Sequence, residues 1–206
     1  MPIRELYLDL TTDPLPIAVR NFLEAADTRC DEFFDTGANK KLPRFLPADY
    51  TVVYRALKAL QDEGDLLGNR FCEWGSGLGT ATCLASLLDF EAYGIEIESE
   101  LVKRARALAD EHDLPAQFLE TSFLPEGFDF LYTQGARQLL APHNALQGGY
   151  QYDDADWEID DIDLFYVYPW PEEQESNLEL FEALATDGAY MICFYGPGDV
   201  CFYQKV

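Results

Sequence analysis

The apolar positions of this chain follow two different periods. From residue 71 onward, short apolar runs of strand length alternate with longer segments in which apolar residues recur every three or four positions. Strands that alternate with helices are typical of a parallel sheet covered on both faces, so the pattern predicts an α/β fold. The predicted strands span residues 71–72, 93–97, 117–120, 163–168, 189–195 and 200–205, and the predicted helices residues 78–88, 99–112 and 173–186.

The chain before residue 70 shows helical periodicity. Residues 16–26 and a segment ending at Leu60 predict helices, and residues 31–44 predict a loop. We therefore expect an N-terminal helical extension, residues 1–69, followed by a Rossmann-like domain, residues 70–206. The positions expected to face the core are Ile17, Phe22 and Leu23 in the first helix and Val53, Ala56, Leu57 and Leu60 in the second.

Three glycines at alternate positions, Gly75, Gly77 and Gly79, follow the first predicted strand and a carboxylate, Glu73. Glycine lets backbone N–H groups approach a ligand, and a helix start adds partial positive charge. A dinucleotide loop of the form Gly-x-Gly-x-x-Gly would need glycine where Thr80 stands, and a phosphate-binding P-loop would need a lysine. The remaining alternatives are a loop for another cofactor or a bare tight turn.

A second carboxylate favours the cofactor loop over the bare turn. Glu96 ends a short apolar strand about 20 residues beyond the loop, where doubly wound folds place the acid that accepts ribose hydroxyls. The alternative for Glu96 is a solvated carboxylate at a strand end.

The spacing Glu73-x-Gly75-x-Gly77-x-Gly79 resembles the first motif of class I S-adenosylmethionine-dependent methyltransferases. The resemblance implies a doubly wound, mostly parallel sheet, S-adenosylmethionine as cofactor, and methyl transfer to a nucleophile. It also implies that Glu73 lies near the cationic methionine end and that Glu96 binds both ribose hydroxyls. The implied cofactor-binding residues are Glu73, Gly75, Ser76, Gly77, Gly79, Glu96, Thr121 and Ser122.

Two features depart from this family's pattern. Ser122 stands where the family usually has an acid that meets the adenine amino group, so either its hydroxyl or a backbone carbonyl would serve instead. The family's sheet ends in an antiparallel hairpin beyond the fifth parallel strand, but only residues 200–205 remain for it here. We therefore expect this end of the sheet to be trimmed.

The segment Tyr168-Pro169-Trp170 follows the strand predicted at residues 163–168. It loosely resembles the Asp/Asn/Ser-Pro-Pro-Tyr/Phe motif of amino methyltransferases, which implies that it faces the reacting methyl group. Ligands bind at the carboxyl ends of strands in open α/β sheets, which supports the placement. The alternative is that the proline ends the strand and the tryptophan packs. Tyr168 and Asp49 are candidates for a general base by position.

A Phe-Leu-Pro segment, residues 45–47, precedes the second predicted helix. It resembles the substrate gate of some lysine methyltransferases of this fold. The alternative is a helix entry fixed by proline in the first turn.

Charge narrows the choice of partner. The net charge is -24, from 38 acidic and 14 basic residues, which argues against nucleic acid because phosphate repulsion would have to be overcome. It favours a cationic acceptor, such as a lysine side chain or a small amine. A surface kept soluble by acidic residues is the alternative reading.

The remaining composition predicts a soluble cytoplasmic protein without a metal. The five cysteines show no Cys-x-x-Cys spacing, and there is no N-terminal signal or long apolar run, so we expect no membrane partner. The acidic run at residues 153–161 lacks the spacing of a calcium loop and predicts a solvated surface loop. The oligomeric state is not predicted.

The sequence therefore predicts an S-adenosylmethionine-dependent methyltransferase with an unidentified, amine-bearing acceptor. Two other classes stay open: a cofactor-binding protein that acts through a partner without catalysis, and a nicotinamide-dependent oxidoreductase.

Overall fold

The computed structural model describes residues 3–42, 44–63, 65–124, 157–196 and 198–206. Seven strands form one sheet: β1 (Ile3–Leu6), β2 (Arg70–Trp74), β3 (Glu91–Glu96), β4 (Gln117–Glu120), β5 (Leu164–Val167), β6 (Tyr190–Gly196) and β7 (Asp199–Lys205). Within these ranges the α-helices are α1 (Ile17–Asp35), α2 (Tyr50–Glu63), α3 (Thr80–Leu87), α4 (Ser99–Glu111) and α5 (Gln174–Leu184).

The sheet has the order β1-β7-β6-β5-β2-β3-β4. Strands β4, β3, β2, β5 and β6 are parallel, whereas β7 is antiparallel to both of its neighbours. From β2 the chain continues to β3 on one side, and β5 later pairs with the other side of β2. This reversal of strand order opens a crevice between the carboxyl ends of β2 and β5, where doubly wound folds bind their ligands.

The sheet separates two apolar cores. Helices α1 to α4 pack against one face, and α5 packs with Trp157 and Ile162 against the other. Successive strand residues point to opposite faces, so Phe71 of β2 lies in the first core and Cys72 in the second. Helices α1 and α2 share the first core with the sheet, and the boundary near residue 70 stays a prediction.

The edge strand β1 has no counterpart in the sequence prediction. Residues 3–6 pair with β7 from Ile3 opposite Lys205 to Leu6 opposite Phe202. The chain's own N-terminus thus supplies the strand beside β7 that was expected to be missing. An edge strand with only four residues carries too little periodicity to be predicted from its own sequence.

Helix α1 is longer than predicted; Phe22 and Leu23 are buried as expected, but Ile17 is not. The segment expected to be a loop continues α1 to Asp35 and then forms a short 3-10 helix, Ala38–Lys41. Phe33 is fully buried against Leu78 and Leu101, so packing with distant residues stabilises the extra turns. Ile17, expected to face the core, is 68% exposed. In α2 all four residues expected to face the core are buried, as predicted.

Of the acidic run, only residues 157–161 fall within the described ranges. Glu158, Asp160 and Asp161 are exposed there, and Trp157 is buried beside Tyr93. Residues 153–156 of the run lie outside the described residues.

Candidate active site

A cavity of about 640 Å³ lies at the carboxyl ends of β2, β3 and β5. Its floor is the glycine loop between β2 and α3, and its walls include residues 44–48 before α2 and the segment after β5. Ten of the eleven residues predicted for the site line this cavity: Glu73, Gly75, Ser76, Gly77, Glu96, Thr121, Ser122, Tyr168, Pro169 and Trp170.

The glycine loop closes onto β3 through its backbone. The N–H groups of Gly75 and Ser76 both donate to the carbonyl oxygen of Ile95, each at 2.9 Å. Gly75 has a φ of +75°, and a Cβ placed on it would meet no atom within 4 Å. This glycine therefore leaves its backbone open to the cavity.

The next glycine is covered by an aromatic ring. A Cβ at Gly77, whose φ is +54°, would stand 2.7 Å from the ring of Phe45. The Phe-Leu-Pro segment considered as a gate thus places its phenylalanine directly on the glycine loop.

The last glycine, Gly79, does not line the cavity. A Cβ on it would lie 2.6 Å from Cβ of Ala105 and 2.7 Å from the ring of Phe118. Its role in the structure is close packing of α3 against α4 and β4, and the sequence alone does not separate that role from ligand contact.

Glu73 is 5% exposed and sits under the start of α3. Its Oε2 accepts hydrogen bonds from the backbone N–H of Thr82 at 2.9 Å and from the Thr82 hydroxyl at 2.5 Å. Burial raises the pKa of Glu73 to about 8, against the opposing effect of the two Thr82 hydrogen bonds. The carboxyl group is thus poised to change charge near neutral pH at the cavity wall.

Glu96 ties the glycine loop to the end of β3. Its Oε2 accepts from the N–H of Gly77 at 2.9 Å, and its Oε1 accepts from the N–H groups of Ile97 and Glu98 at 2.8 and 2.9 Å. Burial raises the pKa of Glu96, and these backbone hydrogen bonds counteract the rise. Oε1 already accepts two hydrogen bonds, whereas Oε2 accepts one and keeps a further lone pair.

At the end of β4, Thr121 donates its N–H to the carbonyl of Glu96 at 3.1 Å, and the Ser122 hydroxyl accepts from the N–H of Leu124 at 3.1 Å. Phe123 stacks on Trp74, with ring centroids 5.5 Å apart and an interplanar angle of 8°. Both rings line the cavity and were not predicted. Trp74 follows Glu73 directly in the motif, which was the one signal that could have suggested it.

The segment after β5 also lines the cavity. Tyr168 packs edge-on against Phe194, with centroids 4.9 Å apart. Trp170 is half-buried, and the guanidinium carbon of Arg44 lies 5.6 Å from its ring centroid. The same Arg44 forms an ion pair with buried Glu173. Sequence analysis assigned no role to Arg44 or Glu173, because they are 129 positions apart and meet only in the fold.

Of the two candidates for a general base, only Tyr168 lines the cavity. Asp49 instead accepts hydrogen bonds from the backbone N–H groups of Thr51 and Val52 at 3.1 and 3.2 Å. Asp49 therefore caps α2, a role that aspartate commonly takes just before a helix.

Four residues that line the cavity each carry a buried polar atom without a hydrogen-bond partner among the described residues. These atoms are Trp74 Nε1, Ser76 Oγ, Tyr166 OH and Asn177 Oδ1. Buried polar groups are normally satisfied, so such atoms fit a site whose ligand carries both donors and acceptors. A cavity lined by stacked aromatic rings, two buried carboxyl groups and these residues fits an adenosine-containing cofactor with an amino-acid end.

Two solved structures show this chain's fold in other proteins. An RNA methyltransferase from Salinibacter ruber in complex with S-adenosyl-L-homocysteine is 18% identical, with 78% of this chain and 94% of that chain covered and a TM-score of 0.53. A methyltransferase from Geobacter sulfurreducens is 12% identical, with 95% and 93% covered and a TM-score of 0.53. No protein-family model matches the sequence, and the comparison with curated proteins finds no match.

The chain has the Rossmann-like fold of class I S-adenosylmethionine-dependent methyltransferases. The predicted doubly wound, mostly parallel sheet with N-terminal helices is thereby confirmed.

Within the described ranges, every helix is too short or too polar to cross a membrane. The same residues contain no group of three or more His, Cys, Asp or Glu side chains placed to hold a metal ion.

Proposed function

We propose that this protein is an S-adenosylmethionine-dependent methyltransferase. The observation that carries the proposal is the cavity at the β2–β5 crevice, which joins the open glycine loop, Glu73 and Glu96 in one site. The fold neighbours and the unpartnered polar atoms of residues that line the cavity support it.

In this proposal each wall of the cavity has a separate task. Glu96 accepts a ribose hydroxyl with the remaining lone pair of Oε2, while its hydrogen bond to Gly77 holds the loop. Glu73, when ionised, neutralises the ammonium group of the methionine end. Trp74 and Phe123, with the Ser122 region, enclose the adenine, and Gly79 acts through packing alone.

S-adenosylmethionine supplies an activated methyl group on a sulfonium, so the protein mainly has to orient the nucleophile. Orientation of this kind contributes about 7–11 kcal/mol in favourable cases. Tyr168, Pro169 and Trp170 are the residues we propose to position the acceptor. An acceptor that arrives protonated needs a base, and Tyr168 is the titratable residue of this segment that lines the cavity.

We propose a small-molecule or protein amine as acceptor. Four carboxylates line the cavity, Glu73, Glu96, Glu98 and Glu173, against two basic residues, Lys41 and Arg44. Even with Glu73 protonated near neutral pH, the described lining keeps an acidic surplus, which disfavours an anionic acceptor and argues against nucleic acid as the substrate. A methyl-labelled cell extract, sorted by size, tests this: label on RNA, DNA or an acidic metabolite would contradict it.

Calorimetry tests the cofactor. We expect saturable binding of S-adenosylhomocysteine and none of NAD, because Thr80 replaces the glycine that a dinucleotide loop needs. Saturable NAD binding without a response to S-adenosylhomocysteine would favour the oxidoreductase alternative.

Glu96→Ala should weaken S-adenosylhomocysteine binding by roughly 1.5–3 kcal/mol, the range for a hydrogen bond to a charged group. Glu120→Ala is the matched control, because Glu120 lies opposite Glu96 in the neighbouring strand and is exposed. Equal binding by both variants would place the cofactor elsewhere.

A protein that binds the cofactor without catalysis is the second candidate. The observation that favours it is the position of Arg44, whose guanidinium already lies over the ring of Trp170 in the proposed acceptor site. Formation of S-adenosylhomocysteine from S-adenosylmethionine in the presence of extract would exclude this candidate.

A further inference from the structure

The cavity wall contains an ion pair that the proposed chemistry leaves unexplained. Arg44, on the irregular segment before α2, pairs with Glu173 at the start of α5. The Arg44 side chain is 42% exposed and that of Glu173 only 8%. A half-exposed cation therefore satisfies a buried carboxylate at the mouth of the cavity.

Glu173 and Trp170 together form a site for a positive charge. One carboxylate oxygen of Glu173 pairs with the guanidinium of Arg44, and the other accepts from the backbone N–H of Trp170 at 3.4 Å. The Arg44 guanidinium carbon lies 5.6 Å from the Trp170 ring centroid. A carboxylate beside an aromatic face is a combination that attracts ammonium and guanidinium groups alike.

Asn177 adds an independent sign of a ligand at this position. The residue is 2% exposed, and its Nδ2 donates to the carbonyl of Glu173 at 2.8 Å. Asn177 is among the residues that line the cavity, and its buried Oδ1 has no partner among the described residues. An unpaired buried acceptor next to a carboxylate fits a ligand that brings several N–H donors.

We propose that Glu173, Trp170 and Asn177 form the subsite for the cationic group of the methyl acceptor, and that Arg44 occupies this subsite until the acceptor displaces it. The identity of the occupant as a methyl acceptor rests on the proposed function. The cation subsite itself rests only on the contacts of these side chains.

Exchange of one cation for another explains why Arg44 is partly exposed. A buried carboxylate left without a partner is strongly destabilising, so Glu173 needs a positive group in both the free and the occupied state. Arg44 supplies that group in the free state and, when displaced, has water within reach. The subsite therefore stays electrically paired throughout.

Binding of methylguanidinium chloride, measured by saturation-transfer NMR without any cofactor, tests the subsite. Arg44→Met removes the competing charge and keeps the length of the side chain, so we expect about tenfold tighter binding than in the wild type. Adding Glu173→Gln to Arg44→Met should remove this gain, while the glutamine oxygen can still accept from Trp170. Propionate should bind none of these proteins.

Arg104→Met is the matched control. Arg104 also lies over an aromatic ring, 5.3 Å from the centroid of Phe33, and pairs with Glu100 at 2.8 Å, but it does not line the cavity. We expect it to bind the probe like the wild type. Unchanged binding in Arg44→Met, or an equal gain in Arg104→Met, would overturn the proposal.

The result is separable from that of the proposed function. Tight probe binding by Arg44→Met without any binding of S-adenosylhomocysteine would keep the cation subsite and reject the methyltransferase. The reverse outcome is binding of S-adenosylhomocysteine without tighter probe binding by Arg44→Met. It would keep the methyltransferase and reject the subsite.

Discussion

A Cβ added to each glycine of the loop would meet different surroundings. The position at Gly75 is open, that at Gly77 faces Phe45, and that at Gly79 faces Ala105 and Phe118. All three have a positive φ, so any side chain carries a similar backbone strain there. Differences between substitutions at these sites therefore report on the surroundings.

Gly79→Ala should mainly lower stability, whereas Gly75→Ala should mainly weaken ligand binding. Gly79→Ala should lower the free energy of unfolding by about 1–3 kcal/mol more than Gly75→Ala, because only its Cβ is forced against packed atoms. Gly75→Ala should instead weaken S-adenosylhomocysteine binding more. Urea unfolding and calorimetry measure the two quantities, and equal unfolding energies would contradict the packing role.

The carboxyl group of Glu73 makes both stability and binding depend on pH. Its folded-state pKa of about 8 lies above the ordinary value of 4.5 because the group is buried. The folded state therefore holds the proton more tightly. The stability from this group is fully present below pH 4.5 and is lost as the pH rises through about 8.

Ligand binding should show the opposite trend. If Glu73 pairs with the ammonium of the cofactor, binding favours its ionised form, and affinity for S-adenosylhomocysteine rises with pH up to about 8, by at most about tenfold per unit. Glu73→Gln should remove the contribution of Glu73, and the pH dependence that this variant retains belongs to the ligand or to other groups of the site such as Glu96. Identical pH profiles for the two proteins would show that Glu73 does not contact the charged end.

At the scale of elements, the prediction succeeded where periodicity was long and failed where packing decided. The buried face of α2 and the loop between β2 and α3 could be predicted from the spacing of apolar residues and of glycines, because both features depend on residues close together in the sequence. The last turns of α1 depend on Phe33 packing against distant residues, and β1 depends on pairing with β7. Such contacts leave no local pattern.

The same division applies to the site. Glu73 and Glu96 could be proposed because strand ends in this fold meet at one edge. Arg44 and Glu173 could not, because their pairing depends on how the segment before α2 crosses the crevice. Phe45 was singled out in the sequence, but its contact with Gly77 could be known only from the fold.

The segment after β5 is where catalysis and binding should separate. Trp170→Ala should lower methyl transfer while leaving cofactor affinity nearly unchanged, because in the proposal Trp170 touches the acceptor and not the adenosine. Turnover and calorimetry on the same preparation measure both. Loss of folding in Trp170→Ala would instead support the alternative that the tryptophan only packs at the strand end.

At the scale of the whole molecule, the net charge of -24 is much larger than the charge of the groups that line the site. Four carboxylates line the cavity, out of 38 acidic residues in the chain. The preference for a cationic acceptor therefore has to rest on local groups such as Glu173 and Trp170. The rest of the acidic charge acts on the folded state as a whole, through mutual repulsion and solvation.

This repulsion should make the protein more stable in salt. Sodium chloride shortens the screening length from about 10 Å at 0.1 M to about 3 Å at 1 M, which weakens repulsion between exposed carboxylates. We expect the Tm to rise by several degrees over this range, at about 2–4 °C per kcal/mol for a chain of this size. Potassium chloride should act equally at the same concentration, whereas sulfate would also strengthen apolar burial and is unsuitable as the probe. A Tm that is flat or falls with chloride salts would mean that the six ion pairs of the described residues, rather than the excess acidic charge, dominate the electrostatic energy of the fold.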